Sequence, residues 1–132
     1  MAAVTRAYTL QKPAAGVLVV TWASLDGDDY GTPVKLPYYS DKCVQLGAYG
    51  GNTHGGATTV MQGSNDVAAD PTHADYATSV WFTLTDPQGN AISRTTSAIL
   101  EQIQENPLWV RPLQTGGVAA DIDVVLVCKG SD

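Results

Sequence analysis

The chain has 132 residues, enough for about one domain with its own core, and it combines 44% hydrophobic with only 15% charged residues. This composition excludes a chain that is disordered throughout. The formal net charge of −6, with seven Lys and Arg scattered singly, excludes the basic stripe that nucleic-acid binding requires.

The N-terminal residues 1–16 show no strong period, and Lys12-Pro13 indicates an extended arm or edge segment. They contain no apolar run of signal-peptide length, and the run 17–20 is too short to cross a bilayer. We therefore expect a protein made in a cytoplasm without a membrane partner. The β-branched stretch 17–25 predicts a buried central strand, and 26–33 predicts a polar loop.

The middle of the chain predicts strands joined by flexible links. Residues 41–49 alternate with period two, which indicates a half-buried strand. The glycine-rich link 50–56 leads to a second strand over 57–64, and we expect these two strands to pair as an antiparallel hairpin. After a Gly-Ser-Asn-Asp turn, the polar excursion 67–79 predicts a surface loop.

A further strand is predicted over 79–86, turned back as a hairpin by the following Pro-Gln-Gly-Asn sequence. The stretch 94–106 leaves two alternatives open. Ile99 and Ile103 at helical spacing favour a short helix near 97–104, whereas a strand fits the same residues.

The C-terminal part predicts two strands of different character. Pro107 and Pro112 restrict 107–117 to an edge strand, because proline donates no hydrogen bond to a neighbouring strand. The last stretch, 120–130, alternates strictly and predicts a strong closing strand.

These elements predict an all-β fold: a two-sheet antiparallel β-sandwich of jelly-roll or immunoglobulin-like type. Seven or eight short strands in a chain of this length suit two sheets, because a lone sheet leaves one apolar face in water. We expect an extended arm over 1–16 and a single sandwich domain over 17–132.

Residues suited to catalysis are present, but no motif arranges them. His54 and His73 stand alone in loops without metal-ligand spacing, which favours solvated histidines. Ser64 lies outside any nucleophile-elbow motif. We therefore expect no enzyme activity and no cofactor.

Two loops are rich in carboxylates, and both lack the spacing of an EF-hand. Solvated turns are favoured there over a calcium site, because Asp readily begins turns. The loop residues are Asp26, Asp28, Asp29, Asp66, Asp70 and Asp75. Cys43 and Cys128 are predicted to be free thiols, since a reducing compartment disfavours disulfides.

Aromatic side chains offer two alternatives. Trp22 and Trp81 lie in strand patterns and are expected in or near the core. Tyr38 and Tyr39, beside Pro37, and Trp109 fit either a core or subunit contact or a platform that stacks on sugar rings. The first alternative is favoured, because a small sandwich needs large residues to fill it.

Five segments carry a resemblance to a known family. They are VVTWASLDGDDYGTPV, VQLGAYGG, VMQGSND, WFTLTDPQGNAIS and IQENPLWVRPLQTGG, followed by the alternating last strand. In this order the chain resembles a family of small virion structural proteins of tailed bacteriophages, of the capsid decoration or cement type. The similar motifs are structural turns and cover most of the chain from Val17 onward.

The resemblance implies a β-sandwich that binds the outside of an assembled phage head, often as a trimer. The partners would be the major capsid protein and further copies of the chain, and the location the virion surface, after synthesis in the host bacterial cytoplasm. From the residues themselves, apolar features outside the confident core strands predict the interface. They are Tyr8, Leu10, Tyr38, Tyr39 and Trp109.

One departure supplies the alternative function. The excursion 67–79 is an insertion relative to the shorter family pattern. The Gly-Ser-Asn-Asp turn before a Trp strand is also similar to discoidin-type carbohydrate-binding sandwiches. A carbohydrate-binding or receptor-binding accessory module of a virion is therefore the alternative, together with a structural protein of the neck or tail.

Overall fold

Two β-sheets face each other across one apolar core, as the sequence predicts. The computed structural model describes residues 5–37, 39–48 and 53–130. The strands are β1 (Thr5–Arg6), β2 (Tyr8–Ala14), β3 (Val17–Leu25), β4 (Tyr30–Gly31), β5 (Val34–Lys35), β6 (Tyr39–Gly47), β7 (Thr58–Ser64), β8 (Phe82–Thr83), β9 (Ser93–Arg94), β10 (Ile99–Ile103), β11 (Trp109–Thr115) and β12 (Ile122–Gly130). Two short 3₁₀ helices, Val67–Ala69 and Tyr76–Thr78, lie between β7 and β8.

The longer strands form the regular parts of both sheets. A five-stranded antiparallel sheet has the order β10-β6-β12-β3-β2. A seven-stranded sheet has the order β1-β4-β11-β7-β8, with β5 also beside β11 and β9 also beside β7. Alternate residues of the long strands face the core, as in Ile122, Val124, Leu126 and Cys128 of β12, all fully buried.

The predicted helix near 97–104 is wrong. Residues 99–103 form β10, which pairs antiparallel with β6 so that Ile99 lies opposite Leu46. Two residues four positions apart share one face both in a helix and in a strand, so the spacing of Ile99 and Ile103 fits either. The free edge of β6 decides the conformation, because β10 satisfies its backbone groups.

The predicted hairpin between 41–49 and 57–64 is also wrong. Strand β6 belongs to the five-stranded sheet and β7 to the seven-stranded sheet. The glycine-rich link therefore crosses from one sheet to the other, and its residues 49–52 lie outside the described part of the chain. The predicted hairpin after residue 79 is present, although β8 is short: Thr85 bridges Ala91, and Asp86 N donates to Asn90 O at 2.9 Å.

The predicted edge strand at 107–117 is instead an interior strand. β11 has β7 on one side and the two short strands β4 and β5 on the other. Pro112 lies opposite Met61, whose backbone N–H and C=O bond away from β11. The proline nitrogen therefore faces the gap between β4 and β5, where the sheet needs no donor.

The described part of the predicted arm is built into the sheets. Residues 8–14 form the edge strand β2 on β3, and residues 5–6 form β1, which runs parallel to β4 in the other sheet. Residues 1–4 lie outside the described part. Within the described ranges, no helix has both the length and the apolar character needed to span a bilayer.

Candidate association surface

The outer face of the five-stranded sheet carries two adjacent rows of side chains that cross all five strands. We call these ten side chains the uncharged face. The first row is Leu100, Gln45, Val125, Thr21 and Thr9, and the second row is Gln102, Cys43, Val127, Val19 and Gln11. Residues in the neighbouring positions of β3, β6 and β12 point the other way, into the core.

The centre of the uncharged face is apolar. Val19, Val125, Val127 and Cys43 are half-buried there, and Leu100 at the β10 edge is 68% exposed. The ten side chains include no Asp, Glu, Lys or Arg. A continuous surface without charge and with an apolar centre is typical of the core of a protein–protein interface.

The sequence contains an indication of this face that period-two alternation alone does not reveal. In β3 and β12, valine occupies outward as well as inward positions: Val19, Val125 and Val127 point outward. The sequence predicts 17–25 as a buried central strand, and its outward residues Val17, Val19 and Thr21 are half-buried in the structure. Apolar residues in both phases of a strand indicate a second contact surface.

The outer face of the seven-stranded sheet differs, because the excursion after β7 covers it. Arg111 of β11 links the sheet to the excursion. Its Nε donates to Gln62 Oε1 of the sheet at 2.9 Å, and its Nη1 donates to Tyr76 Oη of the excursion at 3.0 Å. The guanidinium carbon lies 4.0 Å from the centre of the Trp81 ring and 5.4 Å from that of Tyr30. We call Arg111 and these four partners the Arg111 cluster.

Hydrogen bonds at the two ends of the excursion also hold it in place. The Ser64 hydroxyl donates to Val80 O at 2.5 Å, and Asp66 accepts from the backbone N–H groups of Ala68 and Val80. These backbone hydrogen bonds lower the pKa of Asp66, whereas burial raises the pKa of Tyr76. The predicted surface loop is therefore an ordered cover over one sheet, while the uncharged face of the other sheet has no such cover among the described residues.

The substitution Arg111→Ala is expected to loosen this cover. It removes two charge-assisted hydrogen bonds and two cation–π contacts, about 1–3 kcal/mol of local stability. Hydrogen exchange of the amides in 67–81 should accelerate roughly tenfold or more, since 1.4 kcal/mol corresponds to a factor of ten. The matched control is Arg94→Ala, whose hydrogen bonds go to Ser97 in its own turn. Equal exchange in both variants would show that Arg111 does not hold the cover.

A cleft of about 530 Å³ lies beside the start of β6. Its lining residues are Leu36, Pro37, Tyr39, Ser40, Asn65, Asn106, Pro107 and Leu108. Tyr39 is half-buried and packs against the core, and the two asparagines supply amide groups. An aromatic ring beside amide groups has the chemistry of a sugar-binding site, the alternative that the sequence offers for the aromatic residues. Tyr38 lies outside the described residues.

The predicted interface residues are spread over the two sheets. Tyr8 and Leu10 lie on the β2 edge, where the Tyr8 ring meets Trp22 edge-on at 6.0 Å and Leu10 is exposed. Trp109 belongs to β11 and is only 8% exposed, with Lys35 Nζ 6.0 Å from its ring centre. An exposed stacking platform that includes Trp109 is therefore wrong, and the part of these residues in an interface stays a prediction.

Two polar residues predicted to be solvated are buried. His54 is buried and its Nε2 accepts from Ala48 N at 3.4 Å, whereas His73 is exposed as expected. Asp29 is 1% exposed and forms an ion pair with Arg6 Nε at 2.7 Å. The solvated interpretation is thus wrong for His54 and Asp29, because tertiary contacts supply partners that a local pattern does not show.

The other loop carboxylates and thiols have structural positions. Asp26 and Asp28 accept from the backbone N–H groups of Ala120 and Gly116, which ties their loop to the one before β12. Within the described ranges, no group of three or more His, Cys, Asp and Glu side chains is placed to hold a metal ion. Cys43 and Cys128 are free, as predicted.

Comparisons with known proteins give no family. No family model and no curated protein matches the chain. Among solved structures, it is similar to the K1 cleaved adhesin domain of Lys-gingipain from Porphyromonas gingivalis W83, at 13% identity and a TM-score of 0.44, over 96% of this chain and 85% of that one. The K3 cleaved adhesin domain of the same protein is 15% identical with a TM-score of 0.39, over 85% and 74%. These values are too low to bear on function.

Proposed function

We propose that this chain is a structural protein of a tailed-phage virion that binds the outside of the assembled head. Its partners are the major capsid protein and further copies of itself, and it works by association and without catalysis. The observation that carries this proposal is the uncharged face, ten side chains without charge around an apolar centre in a protein of net charge −6. The resemblance of the turn motifs supplies the type of partner.

The physical basis is burial of the valines at the centre of the face. Apolar surface removed from water contributes about 25 cal/mol per Å². A specific contact buries on the order of 800 Å² per partner. Many copies on one shell add avidity, so modest single contacts suffice. The edge strands β10 and β2 form the two margins of the face, and their outer edges, which pair with no other described strand, can extend the contact.

The substitution Val125→Lys is expected to abolish association. It places a charge at the centre of the uncharged face, between Thr21 and Gln45, where binding would bury that charge without a partner. Co-sedimentation with heads of the parent phage should fall at least tenfold, and any oligomer seen by light scattering should dissociate. The fold should be kept, because the side chain at this position reaches solvent in the isolated protein.

The matched control is Val118→Lys, the same change at a loop residue that is 80% exposed. It should bind heads as the original chain does. Unchanged binding of Val125→Lys would reject the uncharged face as the contact surface, and failure of the original chain to bind heads would reject the proposal itself.

A second candidate function is binding of carbohydrate in the cleft that contains Tyr39, Asn65 and Asn106. An aromatic ring beside amide groups can stack on a sugar ring while the amides bind its hydroxyls. A glycan array with the whole chain tests it: specific binding that the Val125→Lys variant retains would support this candidate, and silence of the array would remove it.

A further inference from the structure

Lys42 is a buried lysine in an otherwise apolar row of the core. It lies in β6 on the inward face, and its side chain is 1% exposed. Across the sheet it stands between Ile103 of β10 and Cys128 of β12, followed by Leu18 of β3. A full charge in such a place is costly unless an opposite charge is paired with it.

No such pair is present in the described part of the chain. Lys42 Nζ donates to Tyr39 O at 3.3 Å and to Asn106 Oδ1, and no described carboxylate lies within ion-pair distance of it. Burial lowers the pKa of Lys42, although Cys128, Asp41 and Glu105 act in the opposite direction. Burial also raises the pKa of Cys128 to about 12, so its thiol is neutral and provides no counter-ion. The neutral amine, a nucleophile, is therefore formed more easily at Lys42 than at an exposed lysine.

Asn106 presents its carboxamide to this amine from the connection between β10 and β11. The preceding residue fixes the connection: Glu105 accepts from Thr85 N at 2.8 Å and from Thr85 Oγ1 at 2.5 Å. The following residue, Pro107, is buried. The residues before and after Asn106 thus hold its amide against the Lys42 amine. The amide also lines the open cleft beside Tyr39.

We propose that Lys42 and Asn106 condense to an intramolecular isopeptide bond. The lone pair of Lys42 Nζ attacks Asn106 Cγ, and a new C–N bond forms. The bond between Cγ and Nδ2 then breaks. The proton that the amine gives up passes to Nδ2, which leaves as ammonia through the cleft. No oxidant or reductant takes part, and holding the two groups in contact supplies the orientation that an amine and an amide lack in solution.

The bond would tie the five-stranded sheet covalently to the connection that leads to the other sheet. Lys42 lies in the five-stranded sheet, and Asn106 lies in the connection that leads from β10 of that sheet to β11 of the other. The cross-link would therefore close a loop across 64 sequence positions at one end of the sandwich. Glu105 acts here as a positioning residue, because it holds the connection through Thr85.

The test is the intact mass of the purified full-length protein under denaturing conditions. The expected mass is that of the sequence less one ammonia molecule, after any loss of the first Met is counted. Proteolysis should then release a branched fragment that contains both Lys42 and Asn106. A mass equal to that of the sequence overturns the proposal.

Variants test whether the lost ammonia comes from the pair Lys42 and Asn106. Lys42→Arg and Asn106→Ala should both restore the mass of their own sequences, and the control Lys12→Arg, at an exposed lysine, should keep the loss. Loss of ammonia that persists in Lys42→Arg would overturn the proposal. Asn106 cannot lose ammonia by closing on the next backbone nitrogen, because Pro107 has no N–H. If Lys42→Arg does not fold, Asn106→Ala at an exposed position gives the same comparison.

Discussion

Replacement of Trp22 by Ala is expected to lower the free energy of unfolding by about 3–5 kcal/mol, the usual cost of removing a large aromatic side chain from a core. The Trp22 ring is fully buried, its Nε1 donates to Thr32 O at 3.0 Å, and the Tyr8 ring packs on it edge-on. A Cβ on Gly31 would lie 2.5 Å from this ring, so the backbone already closes on it. The substitution therefore opens a cavity next to parts of both sheets.

Urea unfolding followed by circular dichroism measures this effect. Trp22→Phe is the control, because it keeps a ring in the cavity and loses the hydrogen bond to Thr32, so its destabilisation should be clearly smaller. Because Trp22 contacts Tyr8, Trp22→Ala should also increase hydrogen exchange along β2 more than along β10 at the opposite edge. A loss below about 1 kcal/mol, the typical cost of a point substitution, would mean that Trp22 is not central to the core.

The strands themselves could be predicted from the sequence, because their alternation is a local property. The period of two in 120–130 gives β12 and its core face directly, and the same holds for β6. Pairing is different, because it depends on which backbone edges are free. The link before β7 looks the same in a hairpin and in a crossing between sheets, so the hairpin was wrongly predicted. The edge strand was wrongly predicted because a proline fits a sheet edge and a gap between two short strands equally well.

The candidate surfaces were predictable to different degrees. Valines in both phases of β3 and β12 are visible in the sequence, and they are the signal for the uncharged face. The burial of Trp109 agrees with the favoured core or subunit contact, but its neighbours depend on tertiary packing around β11, where Lys35 approaches its ring. Likewise, the alternation of β6 places Lys42 on the core face with Val44, but nothing local indicates that Asn106 meets it from 64 positions away.

The proposed isopeptide bond predicts that replacing the exposed Asn106 side chain strongly lowers the free energy of unfolding. If Lys42 and Asn106 are joined, Asn106→Ala should lower the free energy of unfolding by about 4 kcal/mol, the loop-closure entropy of a cross-link spanning 64 positions. The effect arises in the unfolded chain, which gains freedom when the loop opens. Without a cross-link, Asn106→Ala would only remove one acceptor of the buried Lys42 amine and cost about 1–3 kcal/mol.

Urea unfolding of Asn106→Ala beside Asn90→Ala, a second exposed asparagine in a turn, separates these two cases. The denaturant slope adds an independent reading, because a cross-linked chain exposes less surface on unfolding and Asn106→Ala should therefore unfold with a steeper slope. A loss in Asn106→Ala below about 3 kcal/mol with an unchanged slope would contradict the cross-link. A large loss of stability in Asn106→Ala alone, together with a steeper slope, would assign the stabilisation to the covalent loop. Loss of a contact in the folded state leaves the slope unchanged.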